Sequence, residues 1–120
     1  MKRLDIFTDH KAIFGFEVVY LNPEDFSDLI VGAHVGSNAN EHTHRESVVF
    51  EPHEFIDSFH IRSGDWVDAV HFTTNYGKEF KFGGTGGEHR DMLDKSEQKR
   101  IVAIGGGLGG HMHNFTVYYI

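Results

Sequence analysis

The sequence predicts an all-β fold on three observations. Apolar residues recur at every second position in short runs. The apolar set is rich in aromatics, with eleven Phe and four Tyr, and fourteen Gly punctuate the chain. Aromatic side chains suit a pleated, half-buried surface, glycine serves tight turns, and alternation bounded by Gly, Asn or Asp marks a half-buried strand. About ten segments of roughly 4–9 residues obey this rule, a typical strand range.

The elements come in order. Leu4-Asp5-Ile6-Phe7 opens the chain in strand-like alternation, and the next run places Phe14, Phe16, Val18 and Tyr20 on one parity. Residues 21–53 repeat the pattern more loosely. Phe55, Phe59 and Ile61 share a side, and Val70, Phe72 and Thr74 do the same. After the turn Asn75-Tyr76-Gly77, Phe80 and Phe82 continue the alternation. Residues 91–100 look helix-like but carry no apolar stripe, so they read as a short strand at 90–93 and then a polar turn at 94–98. Ile101-Val102-Ala103-Ile104 and the series Phe115, Val117, Tyr119 close the chain.

Length and charge bound the function. With 120 residues, one domain spanning 1–120 is expected, because two independent cores would need more chain. Eighteen acidic against eleven basic residues give a net charge of −7, which argues against a general polyanion binder. Ten histidines make that acidity conditional on pH. The absence of cysteine excludes disulfides, thiolate zinc sites and a cysteine nucleophile. No apolar run approaches the roughly 18 residues of a membrane-spanning helix. Met1-Lys2-Arg3 looks like a basic leader start, but Asp5, Asp9 and His10 interrupt the apolar stretch a leader needs, so a cytoplasmic location is expected.

Three hairpin units can be aligned: residues 4–20, 55–72 and 100–119. Each has a strand, a turn and a second strand with alternating aromatics. Their presence in so short a chain suggests pseudo-threefold symmetry. In the second unit, Arg62-Ser63-Gly64-Asp65-Trp66-Val67-Asp68 combines a glycine suited to a tight turn of positive φ with a carboxylate that the turn can aim alongside backbone N–H groups. A carboxylate accepting two hydroxyl hydrogen bonds, beside backbone donors and an aromatic face, is a recipe for a sugar site. A solvated turn capped by Asp68, with Trp66 packed on a neighbour, is the competing reading. The run Gly83-Gly84-Thr85-Gly86-Gly87 reads as a flexible hairpin loop or a place of close backbone approach. A phosphate loop is disfavoured, because no helix and no Lys-Ser/Thr come after the glycines.

From Glu54 onward the chain resembles a jacalin-related lectin domain, the β-prism I fold. The likeness rests on Glu54-Phe55-Ile56, Ile61-Arg62-Ser63-Gly64-Asp65-Trp66-Val67-Asp68, Phe72-Thr73-Thr74-Asn75-Tyr76-Gly77, the glycine loop from Phe82 to Gly87, Ile101-Val102-Ala103-Ile104-Gly105 and Val117-Tyr118-Tyr119. In style it is similar to griffithsin-like, mannose-type domains. Residues 1–53 match only as a pattern of strands. The resemblance implies a carbohydrate-binding protein, not an enzyme, without cofactor or metal, whose partners are mannose- or glucose-type glycans. It carries a Gly-x-x-x-Asp sugar turn onto Gly64, Asp65, Trp66 and Asp68, with Gly87 as the loop's backbone donor. Asp68 would accept the sugar's 4- and 6-hydroxyls, the N–H groups of Asp65 and Trp66 would donate to ring and 6-oxygens, and Trp66 would form an apolar wall.

The same resemblance has two departures. In the last hairpin, Gly109-Gly110-His111-Met112-His113, a histidine stands where the family has its aspartate. In the first hairpin Phe14 holds that place with no glycine upstream. One intact site is therefore expected, with Kd around millimolar to tens of micromolar. The opening residues match the family's third strand, so the resemblance implies a prism short of two strands. Residues 101–104 and 115–120 would then offer an open aromatic edge. It is expected to be covered by a second copy in a homodimer, or by the stretch around residues 28–35 folding back.

The histidines supply a different class of reading. Gly36 with His42 and His44, and Gly105 with His111 and His113, imitate the opening of a cupin metal site, since alternate residues on a strand point the same way. The glutamate and third histidine that a cupin needs are missing at the right spacing. Three functions therefore stand in order: a sugar-binding module, a prism used only for protein contact or assembly, and a His-rich metal-binding protein.

Overall fold

The structure is a computed structural model that describes residues 1–22, 24–37 and 39–120, with backbone alone for 31–34. Ten strands run through the described residues: β1 (Arg3–Thr8), β2 (Ile13–Leu21), β3 (Asp28–Val35), β4 (His44–Val49), β5 (Ile56–Ser63), β6 (Val67–Thr74), β7 (Glu79–Gly83), β8 (Glu88–Leu93), β9 (Ile101–Leu108) and β10 (Met112–Tyr119). A single 3-10 turn, Lys95–Glu97, interrupts them. It falls within the expected polar turn at 94–98, while β8 begins two residues earlier than the alternation predicts.

The strands form three antiparallel sheets in the orders β3-β2-β1-β4, β7-β6-β5-β8 and β10-β9. Each four-stranded sheet is a Greek key. A central hairpin (β1–β2 or β5–β6) is flanked by two outer strands, and the connection between those outer strands crosses over the hairpin's turn. The third sheet contains the hairpin alone among the described residues. This is the all-β prism with pseudo-threefold symmetry, and its short third sheet matches the expected shortage of two strands. Residues 28–35 do not cover β9 or β10 as a paired strand. They form β3 and pair with β2, Leu29 opposite Tyr20 and Ile30 opposite Val19.

Inward-facing residues from all three sheets meet along the prism axis. Phe16 from the first sheet packs on Phe115 from the third at 5.6 Å, and Phe59 from the second packs edge-on to Phe115, also at 5.6 Å. Phe59 in turn lies parallel to Phe72 at 6.0 Å. Leu4, Ile6, Val18, Ile61, Val70 and Ile104 complete the same buried cluster. Aromatic pairs in these offset and edge-on geometries add about 0.5–1.5 kcal/mol each beyond their area.

Two details depart from simple alternation. Phe55 does not join Phe59 inside. The register shifts between Ile56 and Ser58, which turns Ile56 into the core and leaves Phe55 half-buried beneath the Arg100 guanidinium at 4.9 Å. On β2 every residue from Ile13 to Val19 is buried. Its outer face is covered too, because Glu17 takes part in an ion-pair network with Arg3, Asp5 and Arg45.

Candidate sugar-binding site

The three hairpin turns converge at one end of the prism. The second closes with Gly64 N–H donating to Trp66 O at 3.0 Å, the third with Gly109 N–H donating to His111 O at 3.0 Å, and the first with Asp9 N–H donating to Ala12 O at 3.3 Å. The expected positive φ at Gly64 is not found. Left-handed glycines occur at 77, 83 and 87, and a Cβ at Gly64 would meet nothing within 4 Å. The turn closes without left-handed backbone, as Asp9 in the equivalent place of the first hairpin shows. What Gly64 contributes is open space beside the site.

The crossovers repeat as faithfully. Gly84 N–H donates to Asp68 O at 2.9 Å, and Gly36 N–H donates to Phe14 O at 2.7 Å. Gly36, which the sequence pattern attaches to a His-x-His opening, is therefore the crossover glycine of the first sheet. Each crossover also leans on the turn of a neighbouring unit. A Cβ at Gly84 would come within 2.7 Å of Lys11 O, and one at Gly36 within 2.9 Å of Gly109 O.

Asp68 and the glycine loop are brought together as expected. A Cβ at Gly86 would lie 3.1 Å from Asp68 Oδ1, and one at Gly87 would overlap Oδ2. Gly87 sits at φ +72°, the left-handed region that glycine enters without strain. Arg62, to which the sequence pattern gives no role, holds the loop in place. Its Nε donates to Gly86 O at 3.1 Å and its Nη2 to Gly87 O at 2.9 Å. A trans peptide aims its N–H opposite to its C=O, so anchoring the Gly86 carbonyl turns the Gly87 N–H away from Arg62. The motif residue that could have signalled this is Arg62 itself, opposite the glycine loop across β5 and β8.

The carboxylate of Asp68 is half-buried, yet among the described residues no hydrogen bond or ion pair engages it. The buried carboxylate of Asp9 is satisfied differently. Asp9 Oδ1 accepts from the N–H groups of Lys11 and Ala12 at 2.7 and 2.9 Å. Burial alone would raise the Asp9 carboxyl, but these backbone donors, with His10 and Lys11 nearby, hold it below the usual carboxylate range. Asp68 instead faces a cavity of about 410 Å³ that it shares with Trp66, His111, Phe14, His10 and Lys11.

Trp66 is 41% exposed, and one of its faces is taken. The His111 ring stacks on it at 4.5 Å with 13° between planes, and Phe14 stacks on His111 at 4.8 Å. Trp66 and His111, which correspond in the repeat, thus meet in space, and Phe14 of β2 extends the stack, so each hairpin contributes one residue. The remaining His-x-His members do not gather around a common point among the described residues. His44 Nε2 lies 2.9 Å from Glu46 and His42 Nε2 3.5 Å from Glu41, while the His113 ring lies over Gly109.

Residues 1–118 match the family model of the jacalin-like lectin domain. The chain belongs to the jacalin-like lectin family. It is accordingly a carbohydrate-binding domain rather than an enzyme. Solved structures with the same fold include a mannose-binding jacalin-related lectin from Ananas comosus (TM-score 0.80, 23% identity, 99% of this chain and 81% of that one). Frutalin from Artocarpus incisa in complex with galactose is similar (0.81, 20%, 100% and 91%). Artocarpin complexed with methyl-α-mannose is another (0.80, 21%, 99% and 82%). No curated protein sequence matches the chain.

Proposed function

We propose that this lectin domain binds mannose- or glucose-type glycans through one site built on Gly64, Asp65, Trp66, Asp68 and Gly87. The observation that carries the reading is the half-buried, unengaged carboxylate of Asp68 set against the backbone of Gly86 and Gly87. A charged acceptor with no partner among the described residues, in a partly sheltered position, gains from hydroxyl donors that replace its water. The exposed part of Trp66 supplies apolar contact to the sugar ring. His113 and the buried Phe14 offer no carboxylate at the matching positions, which supports a stoichiometry of one.

Mannose over galactose rests on the style of the Gly64–Asp68 turn and on the mannose-binding relatives. The galactose complex of frutalin makes galactosides the necessary comparison. Titration with methyl α-mannoside, α-glucoside and α-galactoside, monitored through the fluorescence of Trp66, the single tryptophan, and through calorimetry, tests both points. Tighter binding of the galactoside would overturn the mannose assignment, and two or three sugars per chain would overturn the single site.

We infer further that the chain forms a homodimer through the third sheet. Tyr118 is 56% and Tyr119 46% exposed on a sheet of two strands, and an open apolar strand edge favours pairing with another chain. Part of the β9 edge is occupied within the chain, where Ile104 N–H donates to Tyr20 Oη at 3.3 Å. A particle of the monomer mass, 13.6 kDa, in light scattering at high concentration would refute the dimer.

A further inference from the structure

The outer face of the second sheet gathers histidines that the sugar site does not use. Strand register explains how. β5 and β8 pair with His60 opposite Asp91 and Arg62 opposite His89. The two-residue period of β8 then puts His89 and Asp91 on one face, next to His60. Across the other edge of β5, His60 stands opposite His71 on β6. No spacing within one strand announces this group, because its members come from strands 31 residues apart in sequence at His60 and Asp91.

We propose that this face holds one divalent transition-metal ion, Zn(II) by its ligand chemistry, on His60 Nδ1, His89 Nε2 and Asp91 Oδ1. The three donor atoms lie within 4.8 Å of one another. Asp91 Oδ1 is 2.7 Å from His60 Nδ1 and 2.6 Å from His89 Nε2. His60 Nδ1 is sealed from solvent and, despite the near carboxylate, forms no aligned hydrogen bond. A buried polar nitrogen without an aligned partner is costly, and a cation bonded to nitrogen and oxygen together removes that cost. Two imidazoles and one carboxylate suit zinc, which takes nitrogen and oxygen ligands at about 2.0–2.2 Å in a tetrahedral set. Calcium and magnesium favour all-oxygen sites instead. A cavity of about 350 Å³ in front of His60, His71 and His89 leaves room for a water as fourth ligand.

The cations that also face this cavity are already committed. Arg62 is bound to the carbonyls of Gly86 and Gly87, and Lys81 pairs with Glu79 at 3.2 Å. His71 stands beside the site, its ring 5.8 Å from that of His60, with its Nε2 directed to Glu79 at 3.1 Å. The metal would join β5 to β8 at the root of the glycine loop, since β8 starts immediately after Gly87. It requires no sugar and makes no claim on catalysis.

The test uses the untagged full chain, stripped with a chelator and titrated with ZnCl2 by calorimetry and by competition with a chromogenic chelator. One zinc per chain is expected. His89→Ala and Asp91→Asn, both at exposed positions, should fold normally by circular dichroism and lose at least tenfold in affinity. His44→Ala and His113→Ala should bind zinc as the parent does. Co(II) in place of zinc should give the visible absorption of a tetrahedral ion, and that signal should vanish in Asp91→Asn. Failure to take up one equivalent, unchanged affinity in both ligand variants, or loss of affinity in the His44 or His113 variants instead would overturn the site.

Discussion

Hairpins β5–β6 and β9–β10 close with the same backbone hydrogen bond at the same 3.0 Å distance, yet their surroundings differ. Around the second turn, a crossover from β7 to β8 lays Gly84, Gly86 and Gly87 over Asp68. Around the third, the described residues supply no crossover of its own sheet. Its apex is held by the first sheet, through Ser37 N–H donating to Gly109 O at 3.2 Å. The proposed sugar site thus combines two parts from one sheet, an acid on the hairpin and a glycine loop over it, and the third hairpin has neither among the described residues.

The largest effect is expected where both parts meet. Asp68→Asn should keep its fold, because nothing among the described residues bonds to its carboxylate. It should lose mannoside binding by about 100-fold or more, given about 1.5–3 kcal/mol for each of two charge-assisted bonds. Unchanged affinity in the Trp66 titration would reject Asp68 as the acceptor.

Next comes the loop. Gly87→Val forces a β-branched residue to φ +72° and drives its Cβ into Asp68 and to within 2.9 Å of Ser63 N. A loss of about 1–3 kcal/mol of stability is expected from such strain, with sugar binding impaired beyond what the folded fraction explains. Urea unfolding combined with sugar titration separates the two. Wild-type affinity in a fully folded variant would remove the loop from the site.

A smaller effect lies at the opposite end of the second hairpin, where it is tied down in a way the third is not. Glu54 accepts from Glu51 N–H at 2.9 Å and from the Thr74 hydroxyl at 2.7 Å, with Lys78 at 3.6 Å. Burial alone would raise its carboxyl, but these partners together hold it below the usual range of about 4.5. A depressed folded pKa means stability that is present above the unfolded value and lost as pH falls through the folded one. Glu54→Gln should therefore cost about 1–2 kcal/mol at pH 7, and the gap to wild type should close as pH drops below about 4. Denaturant midpoints at pH 7 and in that acid range check the sign; an equal gap at both would refute it.

The smallest effect sharpens the comparison most. His113→Asp restores the missing acid to the third hairpin without restoring a glycine loop over it. Calorimetry should still give one mannoside per chain. A stoichiometry of two would show that the hairpin acid is enough by itself.

Much of this is legible in the chain. Strand alternation, the Gly64–Asp68 turn, the glycine loop and the shortened third sheet all come from local patterns or from a family likeness whose specific motifs begin at Glu54 and whose strand pattern reaches back to the opening residues. Alternation misleads where a bulge resets the parity, at Phe55, and turn chemistry misleads where the backbone closes without positive φ, at Gly64. Gly36 looks like part of a metal motif because a crossover glycine has no local signature; its role is defined by Phe14 and Gly109, both remote in sequence.

What the sequence by itself determined is what nearest neighbours control: which runs alternate, where the backbone must bend, and which side chains are acids at a turn. These depend on pleat and turn geometry over a few residues. Only the tertiary structure decided that Arg62 would grip the glycine loop, that Trp66, His111 and Phe14 would stack from three different hairpins, and that His60, His89 and Asp91 would share one face. Those contacts arise from the register between strands and from crossovers that carry one hairpin's loop onto another's apex. Register is a property of the packed sheets together, because a shift of one residue sends every side chain to the opposite face.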